Sequence, residues 1–276
     1  MSQMKDKSNI MKFVKYFSVC LLVIVIACNS AENKVNENAK SDIKSNDVSL
    51  NYNIVKVYDI DPAAFVQGLI YEDGKLLIST GLKEHSSLRV FDLATEIEQK
   101  NLKIEDYFCE GIAKINNKIY QLTWQDGKCI VYDAKSFDKI TEYDYEGEGW
   151  GLATDGNQLI MSDGTNKIKI IDPANFKVNK VIKVTDDKGF PVYNLNELEF
   201  VNGMLWANIW TSDDIIAIDL QSGVVQKRIN LSELRTKLSP ENKYAEVLNG
   251  IAYNPQKNIY YLTGKFWGKV FEVEIK

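Results

Sequence analysis

Asp155-Gly156-Asn157-Gln158-Leu159-Ile160, followed by Ile168-Lys169-Ile170-Ile171-Asp172, reads as a tight turn, a β-rich run and a second strand ending in an apolar-acidic pair. The same unit recurs on both sides. Upstream it appears as Glu72–Ile78 leading to Leu88–Asp92, and as Asn116–Tyr120 leading to Ile130–Asp133. Downstream it appears as Asn202–Trp206 leading to Ile215–Asp219, and as Gln256–Tyr260 leading to Val270–Val273. Five copies spaced roughly forty to fifty residues apart match the length of a four-stranded propeller blade. A β-sandwich has the strand content but no reason to repeat one unit five times. The fifth copy ends one strand short, while Tyr52–Asp59 alternates like a spare strand ahead of the first copy. The expectation is an all-β, five-bladed β-propeller closed by the N-terminal strand pairing with the last blade, an arrangement that removes exposed sheet edges. Ser232–Val247, around Pro240, departs from the strand pattern and predicts a short helix capping one face. Asp186–Tyr193 is a second insertion next to the fourth blade.

A shorter motif precedes each copy: Gln67-Gly68-Leu69, Glu110-Gly111-Ile112, Trp150-Gly151-Leu152, Asn196-Glu197-Leu198 and Asn249-Gly250-Ile251. The innermost strand of a propeller blade lines the central channel, where glycine lets strands crowd together. The frame is constant and its first residue varies, as befits a pseudo-symmetric scaffold carrying an asymmetric site. Fourteen positions after each first residue come Gly81, Trp124, Gly164, Trp210 and Thr263, at the expected end of the second strand on the same rim. Lys265 follows two residues after Thr263. One carboxylate (Glu110), one lysine (Lys265), three indoles (Trp124, Trp150, Trp210) and the amides Gln67, Asn196 and Asn249 therefore converge on one opening. Trp206 and Trp267 read as core, His85 as a loop residue, and Asp92 and Asp163 as turn residues.

The bulk composition narrows the chemistry. The 276 residues carry a net charge of -5 without a Lys/Arg cluster, which argues against nucleic acid. A single histidine excludes His-rich zinc sites and leaves one candidate for a Ser-His-Asp arrangement. A calcium-dependent propeller hydrolase needs acidic and amide ligands. The channel motif offers one Glu, two Asn, one Trp and one Gln at its variable position, so no metal and no cofactor are expected. At the N-terminus, Lys5, Lys7, Lys12 and Lys15 precede the apolar run Phe17–Ala27, too short to span a bilayer, which ends in Val25-Ile26-Ala27-Cys28. This resembles the lipobox of bacterial lipoproteins and implies cleavage before Cys28 and a lipid on its sulfur. An ordinary signal peptide with an incidental cysteine is the competing reading. The expected organisation is a signal peptide over 1–27, a lipidated, polar tether over 28–48, and a propeller over 49–276, lipid-anchored in the bacterial cell envelope and facing the periplasm or exterior. Cys109 and Cys129 in the globular part leave both a disulfide and free thiols open.

From Phe65 to Ile275 the chain resembles the glutaminyl cyclotransferases of the plant and bacterial type. The resemblance is carried by Phe65–Leu69, Ser79–Leu82, Glu110–Ile112, Tyr120–Trp124, Gly147–Leu152, Met161–Gly164, Asn194–Glu199, Asn208–Trp210, Leu248–Ala252 and Leu262–Lys265, in that order. It implies a five-bladed propeller that converts the N-terminal glutamine of peptides to pyroglutamate with loss of ammonia, acting as a monomer. Carried over by position, Glu110 matches the catalytic acid, Asn196 and Lys265 the polar site residues, Trp124, Trp150 and Trp210 the aromatic walls, and Gln67 a further pocket residue. The chemistry suits a chain with one histidine, because the peptide's own α-amine attacks its γ-carboxamide and no enzymic nucleophile is needed. Indoles around Glu110 are expected to raise its pKa toward neutrality. A lipoprotein propeller that binds ligands or proteins on its rim without catalysis is the alternative.

Overall fold

The structure, a computed structural model, describes residues 48–276. The apolar run, Cys28 and the polar segment up to residue 47 lie outside the described residues. Two short segments open the described chain, β1 (Val48–Ser49) and β2 (Tyr52–Asp59). Four antiparallel meanders follow: β3 (Val66–Glu72), β4 (Lys75–Thr80), β5 (Ser86–Asp92) and β6 (Ile97–Ile104); β7 (Cys109–Ile115), β8 (Lys118–Thr123), β9 (Lys128–Asp133) and β10 (Lys139–Asp144); β11 (Leu152–Thr154), β12 (Leu159–Ser162), β13 (Lys167–Ile171) and β14 (Val178–Lys183); β15 (Leu195–Val201), β16 (Met204–Ile209), β17 (Asp214–Asp219) and β18 (Val225–Asn230). The fifth sheet is built from β19 (Leu248–Asn254), β20 (Ile259–Gly264), β21 (Lys269–Ile275) and, outermost, β2, so both ends of the described propeller meet in one blade. The pair Val48–Ser49 adds a parallel edge to the fourth sheet, against Lys227 and Arg228.

The inner strands β3, β7, β11, β15 and β19 lie against one another in that order, and β19 returns to β3, so the blades form a ring. The core is divided accordingly. Each of the five seams between neighbouring blades holds its own apolar cluster, because the alternate residues of a strand face opposite neighbours. Trp206 and Tyr260 meet across the seam between the fourth and fifth blades with ring centroids 5.1 Å apart, whereas Leu205 and Ala207 face the third blade.

The apolar-acidic signature marks the turn that leads to each outer strand. Oδ1 of Asp92 accepts the backbone N–H groups of Ala94 and Thr95, and Oδ1 of Asp133 those of Lys135 and Ser136. Asp172 and Asp219 do the same for Ala174 and Gln221. Each turn then closes on a residue with positive φ, namely Glu96, Phe137, Phe176 and Gly223. Backbone hydrogen bonds hold the Asp92, Asp133 and Asp219 carboxyls below the usual range. Asp73-Gly74 and Asn202-Gly203 are two-residue hairpin loops with positive φ at both positions, the geometry that suits the twist of the flanking strands.

The short helix expected within Ser232–Val247 is α1 (Ser232–Thr236). Pro240 disfavours helical geometry at Ser239, and the remainder is turns as far as Glu246. Leu231 and Leu234 are nevertheless fully buried in the seam between the fourth and fifth blades.

The axis is the tightest place in the molecule. At Gly151 a Cβ would lie 2.0 Å from the carbonyl oxygen of Asn196. The fourth blade breaks the glycine frame with Glu197, which is 1% exposed. Its Oε1 accepts the N–H of Leu69 in the first blade at 3.1 Å, and its Oε2 that of Ile251 in the fifth at 2.7 Å. One carboxyl thus ties three blades together across the ring. Glu197→Leu keeps the bulk but strands two buried N–H groups at about 1–3 kcal/mol each. The expected result in a thermal melt is a fall in Tm of roughly 5–20 °C.

Candidate active site

The residues singled out in the inner strands owe their direction to β-bulges. The ladder shifts register between Val66 and Gly68, Cys109 and Ile112, Leu195 and Leu198, and Leu248 and Ile251. Gln67, Glu110, Asn196 and Asn249 each lie inside such a shift. A bulge adds a residue to one strand and re-aims its side chain; four of the five motifs mark such a bulge, and the third, at Trp150, does not. A backbone rung sits just outside the bulge. The N–H groups of Gly81, Trp124 and Trp210 donate to the carbonyls of Phe65, Phe108 and Asn194, placing the second set of residues level with the first.

Glu110 is 5% exposed, and its Oε1 accepts Gln67 Nε2 at 2.8 Å. Gln67 is in turn fixed by Asn249, whose Nδ2 donates to Gln67 Oε1 at 3.0 Å and to the carbonyl of Val66 at 3.1 Å. This relay runs from the fifth blade through the first to the second and orients the Gln67 amide with its donor toward the carboxyl. Ser79 Oγ anchors the strand by donating to the Glu110 carbonyl at 2.5 Å. Burial pushes the Glu110 carboxyl well above the usual range; the positive charge of Lys265 opposes this and the negative charge of Glu148 adds to it.

Lys265, 6% exposed, lies beside Phe65 with Nζ 4.7 Å from the ring centroid. Among the described residues it has no carboxylate partner within 4.0 Å; it acts on Glu110 through space rather than by an ion pair. Burial lowers its pKa, against the pull of Glu110 and Glu246. Asn196, 2% exposed, places Oδ1 out of solvent with no hydrogen-bond partner. An unsatisfied buried amide oxygen is costly.

The aromatic walls form a continuous arc. Trp210 meets Trp150 edge-on at 5.6 Å, Trp124 lies 5.5 Å from Phe108, Phe108 5.9 Å from Phe65, and Phe65 5.0 Å from Phe266. Glu148 joins the two halves, accepting both indole N–H groups, from Trp124 and from Trp150, on Oε2 at 2.8 Å. Trp150 lies flat against Gly164, where a Cβ would meet the indole at 2.7 Å. These three tryptophans are partly exposed, while Trp206 and Trp267 are buried core.

Of the predicted residues, Gln67 and Glu110 touch, the three tryptophans are linked, and Lys265 stands at the end of the arc. Asn196 bonds to none of them through its side chain. Sequence reasoning passed over Phe65, Phe108 and Glu148 as site residues and Glu197 as the axial tie. A signal was present: two positions before each first-ring residue stand Phe65, Phe108, Glu148, Asn194 and Val247. Cys109 and Cys129 are free, buried thiols, on β7 and β9 with β8 between them. Among the described residues no group of three or more His, Cys, Asp or Glu side chains is arranged to hold a metal ion.

Comparison with known proteins accords with this geometry. The family model described as glutamine cyclotransferase matches residues 20–275. The chain belongs to that family. A glutaminyl-peptide cyclotransferase of Arabidopsis thaliana is 37% identical over 227 residues, covering 81% of this chain and 71% of the relative. The crystal structure of Myxococcus xanthus glutaminyl cyclase superposes with a TM-score of 0.76 at 33% identity, over 83% of this chain and 98% of that one. Within the family frame, the rim built by the bulged residues and the aromatic arc is the candidate active site.

Proposed function

We propose that this protein is a glutaminyl-peptide cyclotransferase, converting the N-terminal glutamine of peptides and proteins to pyroglutamate with release of ammonia. Family membership and the names of the two relatives support the activity. The observation that carries the mechanism is a buried carboxyl, Glu110, hydrogen-bonded to Gln67 and coupled electrostatically to Lys265, which lies over Phe65 of the aromatic arc.

The substrate's α-nitrogen forms a bond to its own γ-carboxamide carbon, closing a five-membered lactam, and the bond from that carbon to the amide nitrogen breaks. Once the α-ammonium has given its extra proton to solvent, atoms and charge balance without an enzymic nucleophile: the neutral amine loses one proton on becoming the lactam N–H, the departing NH2 gains one, and ammonia leaves. Glu110 carries that proton. A carboxyl in water is too acidic to return a proton to nitrogen efficiently, and burial corrects this by moving its pKa toward the working range. Gln67 holds the carboxyl oxygen in place. Lys265 and Asn196 act on the carbonyl oxygen as it becomes negative or on the side-chain amide of the substrate, where preorganised donors count most. The tryptophans keep the glutamine curled with amine and carbonyl in contact, worth several kcal/mol in well-oriented cyclisations. Glu110→Gln keeps the bond to Gln67 possible but removes the proton carrier. Incubation with a Gln-initiated dipeptide is expected to show wild-type ammonia release and a pyroglutamyl product, and a loss of about 10²–10⁴-fold in the variant. Retention of most activity by a folded Glu110→Gln protein rejects the role.

The same proposal includes delivery. The basic residues, the apolar run and Val25-Ile26-Ala27-Cys28 support export and lipidation at Cys28, placing the propeller on a polar tether at a membrane of the bacterial cell envelope. Radiolabelled palmitate fed to expressing cells is expected to label the wild type and not Cys28→Ser; equal labelling of both would refute the anchor.

A further inference from the structure

Glu148 stands in the loop between β10 and β11, two residues before Trp150. That loop is itself held, since the N–H of Gly149 donates to the carbonyl of Trp124 at 3.0 Å and that of Trp150 to the carbonyl of Ser162 at 3.1 Å. Both indole bonds end on the same oxygen, Oε2, while Oε1 accepts Gln125 Nε2 at 3.0 Å. An indole N–H is donor only and an ionised carboxylate is acceptor only. One oxygen with two lone pairs can therefore take two rings, and it constrains the angle between them. Each ring also makes an aromatic contact of its own, Trp150 edge-on with Trp210 and Trp124 tilted against Phe108, and the shared oxygen links these two contacts.

We propose that Glu148 is a positioning residue, whose carboxylate locks Trp124 of the second blade to Trp150 of the third and so gives the substrate-binding arc its shape. This inference rests on the cyclotransferase reading for its catalytic consequence, though not for its geometric one. A second effect follows from the same placement. The negative charge of Glu148 reaches Glu110 and favours the protonated form of that carboxyl, so one side chain serves both the walls and the proton carrier.

Two variants separate these contributions in the full protein. Glu148→Gln retains an oxygen that can accept both indoles but drops the charge. Glu148→Leu removes acceptor and charge together. For Glu148→Leu the expected result is a fall in kcat/KM toward a Gln-initiated peptide of about 10–100-fold, with a changed near-ultraviolet circular dichroism from the tryptophans. For Glu148→Gln we expect a smaller fall in kcat/KM than for Glu148→Leu and a wild-type tryptophan spectrum. Its acid limb of kcat/KM should move to lower pH, because Glu110 ionises more readily without a neighbouring negative charge. Wild-type kcat/KM and an unchanged tryptophan spectrum in Glu148→Leu would overturn the inference. So would a Glu148→Gln protein that is as impaired as Glu148→Leu, or one whose acid limb does not move. If Glu148→Leu does not fold, the spectrum and pH profile of Glu148→Gln decide alone. If the wild type itself releases no ammonia the cyclotransferase reading fails, and the tryptophan spectra of the two variants still decide whether Glu148 fixes the rings.

Discussion

The carboxyl of Glu197 is the constraint on which the rest of the architecture turns. It reaches from the fourth blade to backbone N–H groups of the first and the fifth, at the axis where the other four copies of the motif carry glycine. The bulged residues stand next to this position in four of the five blades, so the spacing of the rim is set by how closely the inner strands approach the axis. A buried carboxyl that accepts two backbone donors loses hydration but satisfies groups that would otherwise be orphaned, each at a cost of about 1–3 kcal/mol. Burial and the neighbouring Glu199 raise its pKa well above the usual range, while the two N–H bonds pull the other way.

The functional rim uses that rigidity to hold groups in states they would not adopt in water. Glu110 and Lys265 are both buried and both shifted toward neutrality by desolvation, each partly restrained by the other's charge. They are not locked in an ion pair, so a carboxyl and an amine remain available to a ligand. Asn249 and Gln67 supply the directional part, a relay that leaves an amide N–H facing the carboxyl. Around them runs the aromatic arc, two of whose indoles donate to Glu148. Polar groups are thus fixed by other polar groups, and apolar rings fill the intervals.

Much of this was legible in the sequence because a propeller writes its symmetry into the chain. The five-fold recurrence gave the blades, and the apolar-acidic pairs proved to be turn caps. The fifth copy lacks the aspartate of the other four, and its outer strand is β2. The variable residue ahead of each glycine pointed to the rim because the bulge falls at a fixed place in the repeat. Less legible were residues whose work depends on reaching across blades. Glu197 occupies a glycine position, and its partners lie 128 and 54 residues away. Glu148 lies in a loop, and its binding of two indoles at one oxygen is a property of three-dimensional placement. The short helix within Ser232–Val247 was legible, while its bounds, Ser232–Thr236, were not.

The most direct measurement is an infrared pH titration of the Glu110 carboxyl, taken as the difference between wild type and Glu110→Gln. The account predicts a protonated carboxyl band that persists well above pH 4.5, the ordinary value for glutamate, and then titrates as a single group. A band that disappears in the ordinary carboxylate range, or none at all, would contradict the claim that burial at the inner rim tunes this acid for proton transfer.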